Sequence, residues 1–291
     1  MGPLISRRSL LLGAVAAVGA AACGAGSGTN TAGVIKVPAT NAKDQLNLLE
    51  TSGQYFSGLD QRLAFVLRGQ QDFFTPDSST TLRLGLDTSH LGSPVPIDIH
   101  TDAGTAPAYL TASYRFPRPG TYWARVNYQG KSADAPLQVV DPSTSQIPIA
   151  GQPLISTPTP TPADHRGVNP ICTRNPPCPW HDISLDVALT QHRPTALLFA
   201  TPALCQTATC GPALDTLLAF KAHYESQIRF LHSEIYTDMS AKTNTPAVLA
   251  YHLQSEPMLF VADASGVVKT RIDGLYGHGE AAQALANVVS S

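Results

Sequence analysis

The sequence predicts a two-domain protein, with an all-β sandwich followed by an α/β domain. Its 291 residues are about twice the length of an average domain. Short alternating strand patterns occupy residues 46–140, whereas helical patterns alternate with buried strands in residues 166–291. Between them, residues 141–165 contain the run Thr157–Pro162, in which threonine and proline alternate. Alternating proline favours the extended polyproline conformation, so we expect a semi-rigid linker there.

The N-terminus has the pattern of an export signal. Arg7 and Arg8 precede an uncharged apolar run, Leu10–Ala22. A membrane-spanning helix needs about 20 apolar residues, and this run is shorter. It suits the apolar region of a signal peptide, and the arginine pair resembles a twin-arginine export signal.

A lipid anchor is the next expectation. Ala20–Cys23 resembles a lipobox, in which small residues precede a cysteine that is lipidated and becomes the mature N-terminus. The resemblance implies a signal peptide over residues 1–22, lipidation at Cys23 and a flexible tether over residues 23–45. We therefore expect an exported protein that is lipid-anchored on the extracytoplasmic face of the cell membrane.

Residues 46–140 predict an antiparallel β-sandwich. Thr81–Leu86 alternates polar and apolar side chains, as a half-buried strand does. Gly120–Val126 and Ala135–Val140 can pair across a glycine-containing turn, and no long helical pattern interrupts the series. The segment Phe116–Tyr122 resembles the entry to the penultimate strand of many immunoglobulin-like domains. This resemblance implies an immunoglobulin-like fold and no particular function.

Residues 166–291 predict the order helix, strand, helix, strand, helix, strand, strand, helix. The patterns place helices at residues 185–192, 212–225, 245–253 and 280–289, with Ser184 as the cap of the first. They place strands at residues 195–200, 228–235, 258–262 and 267–272.

This order resembles the thioredoxin fold, and the residues at its joints agree. Phe199–Cys205 resembles the end of the central strand where it runs into the active-site loop. Pro212–Asp215 resembles the helix that follows, and Glu256–Val261 resembles the family's cis-proline and the strand after it. The resemblance implies a thioredoxin-like domain over residues 166–291.

Two cysteines lie at the position that corresponds to the active site of the thioredoxin fold. By resemblance, Cys205 is the attacking thiol, Cys210 the resolving thiol, and Pro257, if cis, brings a substrate-aligning loop beside them. A helix N-terminus lowers the pKa of a nearby thiol, and we expect Cys205, on the loop, to be the more accessible. The chain departs from the family in two ways. Four residues separate the cysteines instead of two, and the acidic Glu256 precedes the proline, where its charge would oppose a thiolate.

The other two cysteines, Cys172 and Cys178, predict a disulfide. They flank a pair of prolines that turn the chain, so a local bridge would staple the linker to the domain. The alternative is a second redox pair that exchanges with Cys205 and Cys210.

Metal and peroxidase chemistry are weaker alternatives. The four cysteines and His181 could bind zinc, but their spacing in the sequence differs from that of a standard zinc module. Export to an oxidising compartment also favours disulfide formation by the cysteines. A copper site of the Sco type would need a histidine, for which His252 is the candidate, whereas His223, His232 and His278 are expected to be structural or exposed. The Cys205–Cys210 spacing also resembles one class of peroxiredoxin, but Glu256 and Pro257 replace the arginine that class requires. We expect no metal and no cofactor.

These observations predict an anchored thiol–disulfide oxidoreductase. Its partners would be exported protein substrates or an unidentified membrane redox partner. The alternative is a non-catalytic binding or scaffold lipoprotein with a structural disulfide. A net charge of −2 gives no electrostatic case for nucleic acid as a partner.

Overall fold

The computed structural model describes residues 45–289, in which two β-sheets face each other and a third sheet is flanked by helices. The predicted signal peptide, Cys23 and all but the last residue of the tether lie outside the described residues. Within residues 45–289, no helix is both long and apolar enough to cross a membrane.

Ten strands form the N-terminal domain. They are β1 (Asn47–Glu50), β2 (Tyr55–Phe56), β3 (Gln61–Arg68), β4 (Phe73–Phe74), β5 (Thr81–Gly85), β6 (Leu91–Val95), β7 (Asp98–His100), β8 (Tyr109–Tyr114), β9 (Gly120–Tyr128) and β10 (Lys131–Val140). One sheet has the order β1-β3-β8-β7, with β4 also paired to β3, and the other has the order β2-β10-β9-β5-β6. One apolar core joins residues from both sheets, so the predicted β-sandwich is confirmed.

The β9–β10 hairpin shows why these residues form a sandwich. Every second side chain of each strand is buried, which is the period-2 pattern of a sheet with one face in the core. In the antiparallel register, Tyr122 lies opposite Leu137 and Ala124 lies opposite Ala135. The expected pairing of residues 120–126 with residues 135–140 is therefore confirmed.

The C-terminal part contains a four-stranded mixed sheet and five helices. These are α1 (Leu185–Leu189), β11 (Thr195–Phe199), α2 (Cys210–Leu218), α3 (Lys221–Tyr224), β12 (Arg229–Ser233), α4 (Pro246–Ala250), β13 (Met258–Ala262), β14 (Val268–Asp273) and α5 (His278–Val289). The sheet order is β12-β11-β13-β14, with β11 parallel to β12 and the other two pairs antiparallel. The single helix expected over residues 212–225 is divided into α2 and α3. The other elements follow the expected order.

The linker differs from its sequence prediction. Instead of forming a spacer, part of residues 141–165 packs on the C-terminal sheet, where the Leu154 amide donates to the Gly266 carbonyl at 2.8 Å. The Thr159 hydroxyl accepts from the Leu185 amide at 2.9 Å, while the Ser184 side chain makes no capping bond. The predicted cap of α1 is therefore replaced by a threonine of the linker. Buried polar backbone needs partners, and these bonds supply them.

The sandwich also contacts the C-terminal part directly. Arg62 of β3 forms an ion pair with Glu280 of α5 and donates to the Leu275 carbonyl at 2.6 Å. Gly274 has a φ of +74°, and a Cβ atom there would lie 1.7 Å from the carbonyl oxygen of Thr51. Only glycine permits that approach.

Candidate functional site

Cys205 and Cys210 lie at the junction between β11 and α2. β11 ends at Phe199, the loop that follows carries Cys205, and α2 begins at Cys210. Cys205 is partly exposed, whereas Cys210 is completely buried in the core beneath the loop. The expected difference in accessibility is therefore confirmed. All four cysteines within the described range carry free thiols.

A carboxyl group completes this site. The two sulfur atoms and a carboxylate oxygen of Glu256 all lie within 4.8 Å of one another. The Sγ atom of Cys205 also lies 3.3 Å from the Thr207 hydroxyl and 3.9 Å from the Thr209 hydroxyl. We call the group formed by Cys205, Cys210 and Glu256 the thiol site.

Hydrogen bonds make Cys205 the more acidic thiol. The thiol of Cys210 donates to it, and this bond lowers the pKa of Cys205 to about 4 although burial opposes the shift. The Thr207 hydroxyl and the backbone N–H groups at the start of α2 lower the pKa further. The same thiol bond, together with burial, raises the pKa of Cys210 far above its usual range. Because the thiolate is the nucleophilic form of cysteine, Cys205 is the more nucleophilic of the two sulfurs near neutral pH.

Glu256 and the two cysteines disfavour each other's charged forms, because the charge of Glu256 helps to raise the pKa of Cys210. Burial, followed by the negative charge of Cys205, raises the pKa of Glu256 to about 7. The single proton of the Cys210 thiol can be donated to Glu256 instead of Cys205, and this alternative bond partly offsets the rise. At neutral pH a substantial fraction of this carboxyl group is therefore protonated and uncharged. The expected opposition between the acid and the thiolate is therefore present, and protonation of Glu256 reduces it.

Pro257 lies beside the thiol site, because it directly follows Glu256. The Glu256–Pro257 peptide bond is cis, and the Pro257 carbonyl accepts from the Gly274 amide at 2.8 Å. A groove of about 340 Å³ opens next to Glu256 and Thr207. Its other lining residues are Gln206, Ile235, Tyr236, Asn244, Val248, Leu253, Gln254 and Ser255.

The other two cysteines form a second, fully buried group with two histidines. The ligand atoms of Cys172, Cys178, His181 and His232 all lie within 4.8 Å of one another. The Cys178 sulfur is 3.3 Å from Nε2 of His181 and 3.4 Å from Nδ1 of His232. We call these four residues the Cys2His2 cluster. The sequence predicts a disulfide between Cys172 and Cys178, whereas both are free thiols here.

His232 is the member of the cluster that the sequence does not associate with the cysteines. The sequence predicts that it is structural or exposed, and its burial, at 2% exposed, agrees with the structural alternative. Its ring faces the two sulfurs from β12. A signal was available, because the polar residues His232 and Glu234 occupy alternate positions near the end of the predicted buried strand, residues 228–235. Buried polar side chains are more informative than exposed ones. By contrast, His252, the copper candidate, is exposed and lies just beyond α4.

The two groups are connected through the segment that carries Cys172. The Thr173 hydroxyl accepts from the Ala203 amide of the Cys205 loop at 3.1 Å. Arg174 Nε lies 2.8 Å from a carboxylate oxygen of Asp215 on α2. The chain between Cys172 and Cys178 therefore holds both the loop and the helix of the thiol site.

Comparison with known proteins leaves the family open. No protein-family model and no curated protein matches the sequence. Solved structures similar to this chain include a Lin-41 filamin domain (12% identity, 32% of this chain, 92% of that chain, TM-score 0.24). Another is S-layer protein SbsC domains 4 and 5 (14%, 33% and 51%, TM-score 0.21), and a third is Titin M4 (14%, 33% and 93%, TM-score 0.20). Such similarities carry no conclusion about a ligand or partner.

The acidity of Cys205 gives a first prediction. Because its pKa is about 4, its alkylation by iodoacetamide should vary little from about pH 5.5 to pH 8, unlike that of an ordinary thiol with a pKa of about 8.5. Cys210→Ala removes the largest cause of the shift, so alkylation should become slower as the pH falls. Cys210→Ser keeps a donor and should retain most of the wild-type profile. A wild-type profile like that of a free thiol would contradict this account.

Proposed function

We propose that this protein is a thiol–disulfide oxidoreductase that acts outside the cytoplasm on exported proteins and is anchored to the membrane by lipid. In this proposal, the N-terminal sandwich is immunoglobulin-like and the C-terminal domain is thioredoxin-like. The observation that carries the activity is the thiol site, in which an acidic, accessible thiol lies next to a buried thiol and a carboxyl group that titrates near pH 7.

Three features support the thioredoxin-like interpretation. The sheet combines a parallel pair, β11 and β12, with two antiparallel strands in the order β12-β11-β13-β14. Cys205 and Cys210 follow β11 along the chain, and a cis-proline precedes β13. The groove beside Glu256 and Thr207 offers space for a peptide segment next to the reactive sulfur.

The reaction steps follow from the low pKa of Cys205 and from the pKa of about 7 of Glu256. The Cys205 thiolate attacks a substrate disulfide, so one new S–S bond forms and one substrate sulfur leaves as a thiolate that takes up a proton. Solvent supplies that first proton, and formation of the mixed disulfide removes the Cys205 thiolate, which is the largest cause of the raised pKa of Cys210. Cys210 then loses its proton to Glu256 and attacks the Cys205 sulfur. The S–S bond between Cys205 and the substrate breaks, and the second substrate thiolate leaves with the proton that Glu256 passes on. The substrate gains two electrons and two protons, and the protein is left with a Cys205–Cys210 disulfide. Running the same steps in reverse oxidises a substrate dithiol.

Trapping of mixed disulfides tests this proposal. In Cys210→Ala, attack by Cys205 should leave substrates covalently bound, because no thiol remains to release them. In the matched Cys205→Ala variant, the adducts should disappear. Both variants would be expressed as exported full chains and their adducts resolved by non-reducing electrophoresis and mass spectrometry. If neither variant forms adducts and the reduced wild type fails to reduce insulin, the thiols are structural and the scaffold alternative replaces the enzyme.

The role of Glu256 gives a separate prediction. Glu256→Gln should leave attack by Cys205 intact but slow the release step on the order of 100-fold, which is typical of a lost general base. Release by the wild type should accelerate as pH rises and Glu256, whose pKa is about 7 in the reduced protein, ionises. The inflection should lie somewhat below pH 7, because the mixed disulfide removes the Cys205 charge that helps to raise this pKa. Single-turnover release of a preformed mixed disulfide measures the effect.

The control for that experiment is Glu225→Gln, at an exposed glutamate that pairs with Lys221 on α3. Its release rate and pH profile should match those of the wild type. A Glu256→Gln protein that releases substrate at the wild-type rate would remove Glu256 from the mechanism without affecting the roles of the cysteines.

Anchoring is proposed on sequence grounds. Cys23 follows three alanines and an apolar run, and a glycine-rich stretch follows it. Cys23→Ser should move the exported protein from the membrane to the soluble fraction, because the lipid attachment site is lost. Cell fractionation measures this, and a wild-type protein that is already soluble after export would refute the anchor.

A further inference from the structure

We propose that Cys172, Cys178, His181 and His232 bind one Zn²⁺ ion, in a structural site separate from the thiol site. The four side chains come from two parts of the chain. Three lie on the segment before α1, and His232 lies on β12. Thiolate and imidazole in a two-plus-two set are a standard tetrahedral donor combination for zinc.

The distances fit a single tetrahedral ion. With Zn–S of about 2.3 Å and Zn–N of about 2.0–2.1 Å, a tetrahedron has an N–N edge of about 3.3 Å and N–S edges of about 3.6 Å. The two ring nitrogens of His181 and His232 are 3.2 Å apart. Three nitrogen–sulfur separations are 3.3, 3.4 and 3.8 Å. These four edges agree with the ideal values to within about 0.3 Å.

The hydrogen bonds around the cluster orient its donors toward the common centre. Nε2 of His232 lies 3.0 Å from the Ala200 carbonyl oxygen, which can only accept, so Nε2 carries the proton and Nδ1 presents its lone pair to the cluster. Metal-binding histidines usually have such a bond on the second ring nitrogen. The Cys178 amide donates to the Cys172 sulfur at 3.3 Å, which stabilises a thiolate there.

The site is closed, which points to a structural ion rather than a catalytic one. The four side chains are between 2% and 7% exposed. Trp180 stacks on Phe230 at 4.9 Å in the same apolar core. A catalytic zinc keeps one position open for water or substrate, whereas four protein ligands fill a structural site. The ion would fix the Cys172–His181 segment to β12, and through Thr173 and Arg174 it would hold the loop and helix of the thiol site.

When Zn²⁺ binds, the two thiols become a zinc dithiolate and release two protons, and both imidazoles bind in their neutral form. No oxidant or reductant takes part. The competing reaction is oxidation of Cys172 and Cys178 to a disulfide, which needs an S–S bond of about 2.05 Å and two electrons removed. Zinc binding and the disulfide exclude each other, because the same two sulfurs serve both.

Metal analysis of the full chain tests the proposal. Reduced protein reconstituted with Zn²⁺ and passed through a desalting column should retain one zinc per chain. Co²⁺ in place of zinc should give the intense visible bands of tetrahedral coordination and a thiolate-to-metal charge-transfer band. Bound zinc should also protect Cys172 and Cys178 from alkylation while Cys205 remains reactive, and this readout needs no variant.

Variants assign the ligands and separate this proposal from the redox proposal. Cys178→Ser and His232→Ala should lose zinc and the cobalt bands, whereas His223→Ala, at an exposed histidine on α3, should keep both. The double variant Cys205→Ser/Cys210→Ser should also keep one zinc, although it would abolish the proposed redox activity. Zinc lost from that double variant would place the ion at the thiol site and overturn the assignment.

Two further results would overturn the proposal. One is a reduced wild-type protein that retains no zinc after desalting and whose Cys172 and Cys178 are alkylated equally fast with and without zinc. The other is selective retention of copper when equal amounts of zinc and Cu⁺ are offered, which would make the cluster a copper site.

Discussion

The parallel pairing of β11 with β12 is the contact on which both candidate sites depend. Thr195 lies opposite Arg229 and Phe199 opposite Ser233, so the two strands end at the same edge of the sheet. Open α/β sheets place their functional groups at the carboxyl ends of parallel strands, because the loops that leave those ends converge there. Here one end leads into the Cys205 loop, and the other carries His232.

The sheet edge at which β11 and β12 end is buried, and this burial determines which side chains can carry a charge there. Ala200 continues β11 by donating its amide to the Ser233 carbonyl, and its own carbonyl oxygen faces Nε2 of His232. The backbone of Ala200 thus satisfies two groups of β12. Unpaired charge is costly in such surroundings, so ionised groups require nearby donors. At the thiol site those donors favour Cys205, and the raised pKa of Glu256 is the compensating change.

Sequence patterns predicted the parts of the molecule that depend on local periodicity. The β9–β10 hairpin, the apolar strand at residues 195–199 and the start of α2 near Gly211 each follow from a repeating burial pattern or a proline near a helix start. The cysteines of the thiol site were predicted because they lie within five positions of each other. Glu256 was recognised, but only as an opponent of the thiolate, since its burial and its bond from Cys210 depend on tertiary contacts.

The sequence does not predict the complete Cys2His2 cluster. Cys172, Cys178 and His181 are local, but the fourth member lies 51 positions beyond His181, on a strand whose pairing brings it back. The same residue type, cysteine, is therefore given different chemistry by its neighbours. A half-exposed thiol beside a carboxyl group can meet a substrate and exchange protons. Two enclosed thiols beside two histidine rings have no such access, and a bound cation satisfies all four donors at once.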